Sequence, residues 1–258
     1  MPHNDRRAFL ASTATSVAGL AFGSRAIRAD DAATLSVMIF GGELPEVQKD
    51  LEKAYRVKVM KGGQVPPKDP ARKDADNVAG LEQLAMADLW IGSIHKRTFP
   101  SEEQLAHFKK YLATGKPFVG YRAASHVFQN WLEADREVFG AKYGGHHLLE
   151  KEKTPGLNIE PTKAAADHPI LKGIVPPKPL SGSYFYTELA ADVTVLLESG
   201  LPSDMMPHTW VRENAKTKGR IFYTRYDAKD FAANETCRTI FLRGVAWALG
   251  ATAEKVRR

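Results

Sequence analysis

A guanidinium and an imidazole four residues apart, Arg122 and His126 in FVGYRAASH, are the side chains here whose types and spacing best suit joint chemistry. The apolar FVGY run reads as a buried strand that passes through small residues into a helix, a tight turn of the kind that exposes one side chain at its elbow. Arg122 holds the elbow position. A guanidinium stays protonated and cannot attack a carbonyl, so no acyl intermediate is expected. It offers instead a planar fork for a carboxylate, a phosphate or several hydroxyl oxygens. The other reading, in which Arg122 pairs with a buried acid to hold the elbow, stays open. His126 lies one helical turn on, where i and i+4 side chains share a face, and an imidazole can move a proton. His146 and His147 follow two glycines in a segment read as a loop, and the glycines permit close backbone approach to the same place. Arg122, His126, His146 and His147 are therefore the catalytic candidates.

In an open sheet, ligands bind beyond the carboxyl ends of the strands. Residues at such ends add Gly42, Glu43, His95 and Arg97 as substrate-binding candidates. Trp210 adjoins a candidate loop and could stack on a sugar, although tryptophans more often fill cores. Asp230 joins the set as a carboxylate able to act as general acid or base. A divalent metal held by His126, His146 or His147 and Glu43 is an open alternative, but no HxxxH or HxH spacing supports it. No cofactor is expected, since neither a P-loop nor a GxGxxG fingerprint occurs. The chain has one cysteine, Cys237, which excludes an internal disulfide.

The elements that would position these residues alternate regularly in the first half. Strand-like runs TLSVMIFGG, YRVKVMKGG, ADLWIGSIH and PFVGY are separated by the helical patterns LPEVQKDLEKAY, Val78 to Met86 and EEQLAHFKKYLATGK. Such apolar strands fit a parallel sheet covered on both faces. The strands at Leu35 to Phe40, Val57 to Met60, Leu89 to Gly92 and Phe118 to Gly120 should be adjacent, with their carboxyl ends on one edge. The second half is less regular. Ala124 to Phe139 reads as a helix and Tyr143 to Thr162 as loops with one strand at LNIEP. YFYTELA and DVTVLLESG read as strands, HTWVREN and GRIFYTRYD as an antiparallel pair, and Thr236 to Leu249 as a closing helix. The expectation is one α/β domain over residues 34–252, with residues 253–258 as a tail.

Residues 1–33 are set apart. Arg6 and Arg7 precede an uncharged, small-residue stretch from Ala11 to Phe22, too short for the roughly twenty residues a bilayer span needs. This pattern resembles a twin-arginine signal, a receptor-read address, with Ser24-Arg25-Ala26 as a cleavage site. The expected partner is the twin-arginine export machinery and the expected location periplasmic or secreted, without stable membrane insertion. Cleavage after Ala26 removes three positive charges and one negative, taking the net charge from +6 to +4. Basic residues are dispersed, so nucleic acid is not an expected partner. A homo-oligomer stays open.

DLWIGSIHKRTFPSEEQLAHFKKYLATGKPFVGYRAASHVFQNW, FGAKYGGHH, ADHPILKGI, HTWVREN, GRIFYTRYDAKDF and LRGVAWAL, in that order, resemble the ThuA-like, or trehalose-utilisation-like, family from about Leu35 to Gly250. The resemblance implies the class I glutamine amidotransferase-like fold, a three-layer flavodoxin-like sheet, without the catalytic cysteine. Many relatives place His at the position of Arg122, and Arg122-Ala123-Ala124-Ser125-His126 is similar to an Arg-x-Ala-Ser-His subgroup. It further implies carbohydrate metabolism and a small-molecule carbohydrate ligand. Whether the chain turns over such a ligand or only binds it or a partner protein is left open by the residues.

Overall fold

Alternation along the strands decides the layering. In LSVMIF, Leu35, Val37 and Ile39 face one side and Met38 and Phe40 the other, as the two-residue period of a pleated strand requires. Both faces are apolar, so both must be covered. The computed structural model describes residues 33–40, 44–62, 78–93, 102–126, 128–147, 157–180 and 183–258, and its unit Ala33–Arg258 is built on one main sheet.

The chain begins with β1 (Leu35–Phe40), α1 (Pro45–Ala54), β2 (Val57–Lys61), a 3-10 turn (Leu81–Met86), β3 (Leu89–Gly92), α2 (Glu102–Ala113) and β4 (Phe118–Tyr121). A 3-10 turn (Arg122–His126), a π-turn (Asp135–Phe139), β5 (Ala141–His147) and β6 (Asn158–Pro161) follow. The remainder is β7 (Ser183–Leu189), β8 (Val193–Leu201), β9 (Asp204–Glu213), β10 (Arg220–Thr224), α3 (Ala228–Ala233), α4 (Glu235–Leu249) and α5 (Ala251–Val256).

The main sheet runs β2-β1-β3-β4-β10-β9-β8-β6. From β2 to β10 every pairing is parallel, and β9, β8 and β6 extend it antiparallel. The expected four adjacent parallel strands are therefore present, as is the β9–β10 antiparallel pair. Val47 and Leu51 of α1, the inner face of α4, and Ala253 and Val256 of α5 cover one side. The 3-10 turn at Leu81, the Leu105–Phe108–Tyr111 stripe of α2, and a two-stranded sheet of β5 and β7 cover the other. This is a three-layer, flavodoxin-like α/β architecture. Trp90 anchors the second layer, stacked on Phe118 at 4.0 Å and 11°.

Four expectations are corrected. The stretch from Ala124 to Phe139 is not one helix; it breaks into the 3-10 turn and the π-turn, and Gly140 at φ 70 ends the latter. The segment around Gly144 to His147 is a strand rather than a loop, because β7 supplies its hydrogen-bonding partner. The helix expected from Val78 is a shorter 3-10 turn beginning after Gly80, whose φ of 83 an ordinary helix residue avoids. Residues 253–258 are not a tail: α5 packs into the core, and Arg56 donates to the carbonyls of Lys255 at 2.8 Å and Arg257 at 2.7 Å. The twin-arginine signal expected at residues 1–33 falls almost wholly outside the described residues. No described helix is long and apolar enough to cross a membrane.

Candidate functional site

β4 and β10 lie side by side with Tyr121 opposite Thr224, so the next residues, Arg122 and Arg225, leave the carboxyl edge together. Arg122 has φ 48, in the left-handed region that costs an ordinary residue about 1–2 kcal/mol. The elbow read from FVGYRAAS is thus a real and strained one. Gly120 permits it: a Cβ there would meet the Phe139 ring at 2.6 Å and Ala124 at 3.1 Å.

Buried hydroxyls bolt the strained turn in place. Tyr223 of β10 donates to the Arg122 carbonyl. With its one proton so used, Tyr223 accepts from the Tyr186 hydroxyl, 2.8 Å away. Ser125 Oγ sits 3.2 Å from the Tyr186 oxygen, 3.3 Å from that of Tyr223 and 3.3 Å from His126 Nδ1. Burial pushes the Tyr186 phenol up to about 12, opposed by its bonds to Ser125 and Tyr223, and lifts that of Tyr223 well above its usual range. Both phenols are neutral structural donors at physiological pH.

One ring gathers the candidate side chains. The Arg122 guanidinium lies over Tyr184 at 4.3 Å, and His126 and His146 meet the same ring at 5.0 Å and 5.2 Å. His126 also stacks on Tyr143 at 3.9 Å and 11°. Arg122 and His126 are both half-buried, whereas His146 is exposed on β5. His147 occupies the last position of β5, opposite Ser183. Arg122 and His126 thus reach the Tyr184 ring from a 3-10 turn, and His146 from a strand.

Arg225 was not singled out in the sequence. It is 2% exposed and donates to the Pro207 carbonyl at 2.9 Å and to Ser199 Oγ at 2.8 Å. Burial draws its guanidinium down to about 10, which leaves it charged at neutral pH. His208, fully buried on β9, was also missed. Its Nδ1 is 2.9 Å from Thr209 Oγ1, while its buried Nε2 has no hydrogen-bond partner. Burial, then the charges of Arg225 and Arg122, holds this imidazole well below its ordinary pKa.

Two substrate-binding expectations do not fit their surroundings. Trp210 is fully buried, packs on Tyr186 and Tyr223, and donates to the Phe139 carbonyl at 3.0 Å; it is a core ring with no face open to a sugar. Asp230 is 1% exposed and both its oxygens accept backbone N–H groups, from Leu180 at 2.6 Å and Asp227 at 2.8 Å. It closes the capping box of α3 with Asp227. Gly42, Glu43, His95 and Arg97 lie outside the described residues. Among the described residues no cluster of His, Cys, Asp and Glu could hold a metal ion. Cys237 is buried on α4 with its thiol pushed up to about 12 by desolvation, so it supplies no thiolate.

A solved thua-like protein from Bacteroides uniformis ATCC 8492 shares this fold at 16% identity and TM-score 0.54, covering 84% of this chain and 91% of its own. One from Parabacteroides merdae ATCC 43184 does so at 16% identity and TM-score 0.51, covering 84% and 90%. No curated protein matches the chain. The family model described as ThuA, trehalose utilisation, matches residues 44–248. On that match the chain belongs to the ThuA family.

Proposed function

We propose that this ThuA-family protein acts on or binds a sugar or sugar derivative at the carboxyl edge of β4 and β10. The observation that carries the reading is the shared Tyr184 ring, on which Arg122, His126 and His146 converge at 4.3, 5.0 and 5.2 Å. A guanidinium over an aromatic face still has in-plane N–H groups suited to several oxygens. In this role Arg122 orients the ligand, and His126, linked through Nδ1 to Ser125, carries a proton to or from it. Strain held at Arg122 supports the assignment, since such backbone persists where the surroundings fix it for a purpose.

The test is a titration of sugars and keto-sugars against the purified chain, followed by turnover assays. Arg122→Ala should weaken binding about tenfold or more while the fold persists, from the loss of charge-assisted hydrogen bonds worth roughly 1.5–3 kcal/mol each. His126→Ala should lower turnover more than affinity. Unchanged affinity in folded Arg122→Ala would reject the reading. Export through the twin-arginine pathway belongs to the same proposal, resting on Arg6-Arg7 and the uncharged stretch after them. Replacing both arginines by Lys should hold the protein in the cytoplasm, and normal export of that variant would refute it.

A further inference from the structure

The imidazole of His126 belongs to two neighbourhoods. It meets Tyr184, the ring that also carries Arg122, and together with Tyr143 it lines a cavity of about 440 Å³ bounded by β5 and the π-turn. Small-molecule sites occupy about 300–1,000 Å³. The lining runs from exposed Gln129 and Leu132 to half-buried His126 and Tyr143. Backbone of the π type is rare and recurs at functional sites. Trp131, half-buried, supplies the largest apolar side chain of the wall. Its ring is held in place: Nε1 donates to Glu137 at 3.2 Å, the Phe128 ring packs at 5.3 Å, and the Lys109 ammonium lies 5.1 Å from its centroid. Leu132, 71% exposed, extends the apolar surface. An ordered indole beside a leucine and an amide matches the needs of a sugar ring, which has C–H groups to cover and hydroxyls to bond.

Charge narrows the class. Glu133 and Asp135 line the cavity with Arg136 and Lys142, so the formal charges of these four cancel. Arg136 pairs with Glu133 at 3.5 Å and Glu188 at 3.0 Å, and Lys142 with Glu188 at 3.5 Å. Asp135 accepts the Arg136 and Tyr143 backbone N–H groups at 2.7 and 2.8 Å. We propose that this cavity is a subsite for a neutral sugar ring, in which Trp131 and Leu132 cover C–H groups, the Gln129 amide bonds hydroxyls and His126 meets the ring from the half-buried end. The proposal rests on the sugar reading above and adds where the ring lies and which charge it lacks.

Calorimetric titration of the purified chain with glucose, galactose, trehalose and glucuronate tests it. A neutral sugar should bind several-fold tighter than glucuronate, whose carboxylate would lose water to a lining without net positive charge. For the tightest neutral sugar, Trp131→Ala should weaken binding about tenfold, and Trp131→Phe should keep most of the affinity. Gln129→Ala and Leu132→Glu, both at exposed positions, should each weaken it several-fold. Should Trp131→Ala fail to fold, these two variants and the Trp131 indole N–H resonance of the wild-type chain, which should shift on binding, decide. Full affinity in the Trp131, Gln129 and Leu132 variants, with loss in Arg122→Ala, overturns this proposal and leaves the sugar reading standing. Tighter binding of glucuronate than of any neutral sugar does the same. Absence of binding to all four overturns both.

Discussion

Replacing Arg122 by Ala and by Gly separates the backbone's demand at the elbow from the side chain's. Both variants lose the guanidinium and its 4.3 Å contact with Tyr184, worth about 0.5–2 kcal/mol. Only Ala retains a Cβ at φ 48 and the 1–2 kcal/mol that this conformation costs. Glycine removes that strain but makes the unfolded chain freer, which takes back about 0.4–1 kcal/mol. The difference leaves Arg122→Gly more stable than Arg122→Ala by about 0.5–1 kcal/mol. For a domain of this size that is roughly 1–4 °C in Tm. Scanning calorimetry on the two variants at equal concentration reads it directly. Sugar affinity, by contrast, should fall alike in both. An Ala variant as stable as the Gly variant would mean that the turn relaxes without the arginine, and that the strain is a consequence of the side chain rather than of Gly120, Ser125 and Tyr223 around it.

Tyr223→Phe should cost about 1–3 kcal/mol in urea unfolding, because it strips a donor from the Arg122 carbonyl and an acceptor from Tyr186 inside the core. Gly120→Ala should destabilise by a similar 1–3 kcal/mol, since the new methyl group meets the Phe139 ring at 2.6 Å, and Phe139→Leu should recover part of the loss. His208 has its folded pKa below its unfolded value, so the unfolded chain binds more protons as pH falls. Its contribution to stability is therefore complete above about pH 6.5 and is lost progressively below it; His208→Gln should flatten the pH 5–6.5 part of the stability profile, and a profile identical to wild type would contradict that assignment. Cys237 should resist a thiol reagent in native protein and react fully in denaturant, as expected for a buried thiol pushed up to about 12.

The first half of the fold was legible because each strand there is a short apolar run fenced by a helix with its own period. The elbow could be read too: FVGY gives the strand, and Gly120 beside small residues leaves room for the turn. Its left-handed φ could not, since nothing in an arginine announces the one conformation its type avoids. AKYGGHH lacks β-branched residues, and its partner YFYTEL lies some forty residues on, so only the pairing makes it a strand. Tyr143 stood in a segment read as loop and Tyr184 in one read as a strand, and only tertiary packing makes Tyr184 the ring that gathers Arg122, His126 and His146. Arg225 reads as one more polar residue after a strand until the β4–β10 register sets it beside Arg122. Trp210 and Asp230 show the reverse error, where a residue type suited to a ligand is consumed by the core and by a helix cap.

The clasp between α5 and the β2 entry bears on the order in which the molecule can be made. Arg56 N–H donates to the Val256 carbonyl at 2.7 Å and Arg258 N–H to Ala54 at 3.1 Å, joining segments some two hundred residues apart. β4 likewise waits for β10, about a hundred residues later, before its second edge is filled. During synthesis the β1–β4 half therefore emerges with the β4 edge unfilled and with only α1 on the apolar face that α4 and α5 later complete. Non-local closure of this kind folds slowly and exposes sticky intermediates. Closure of this layer thus waits until α5 has been made.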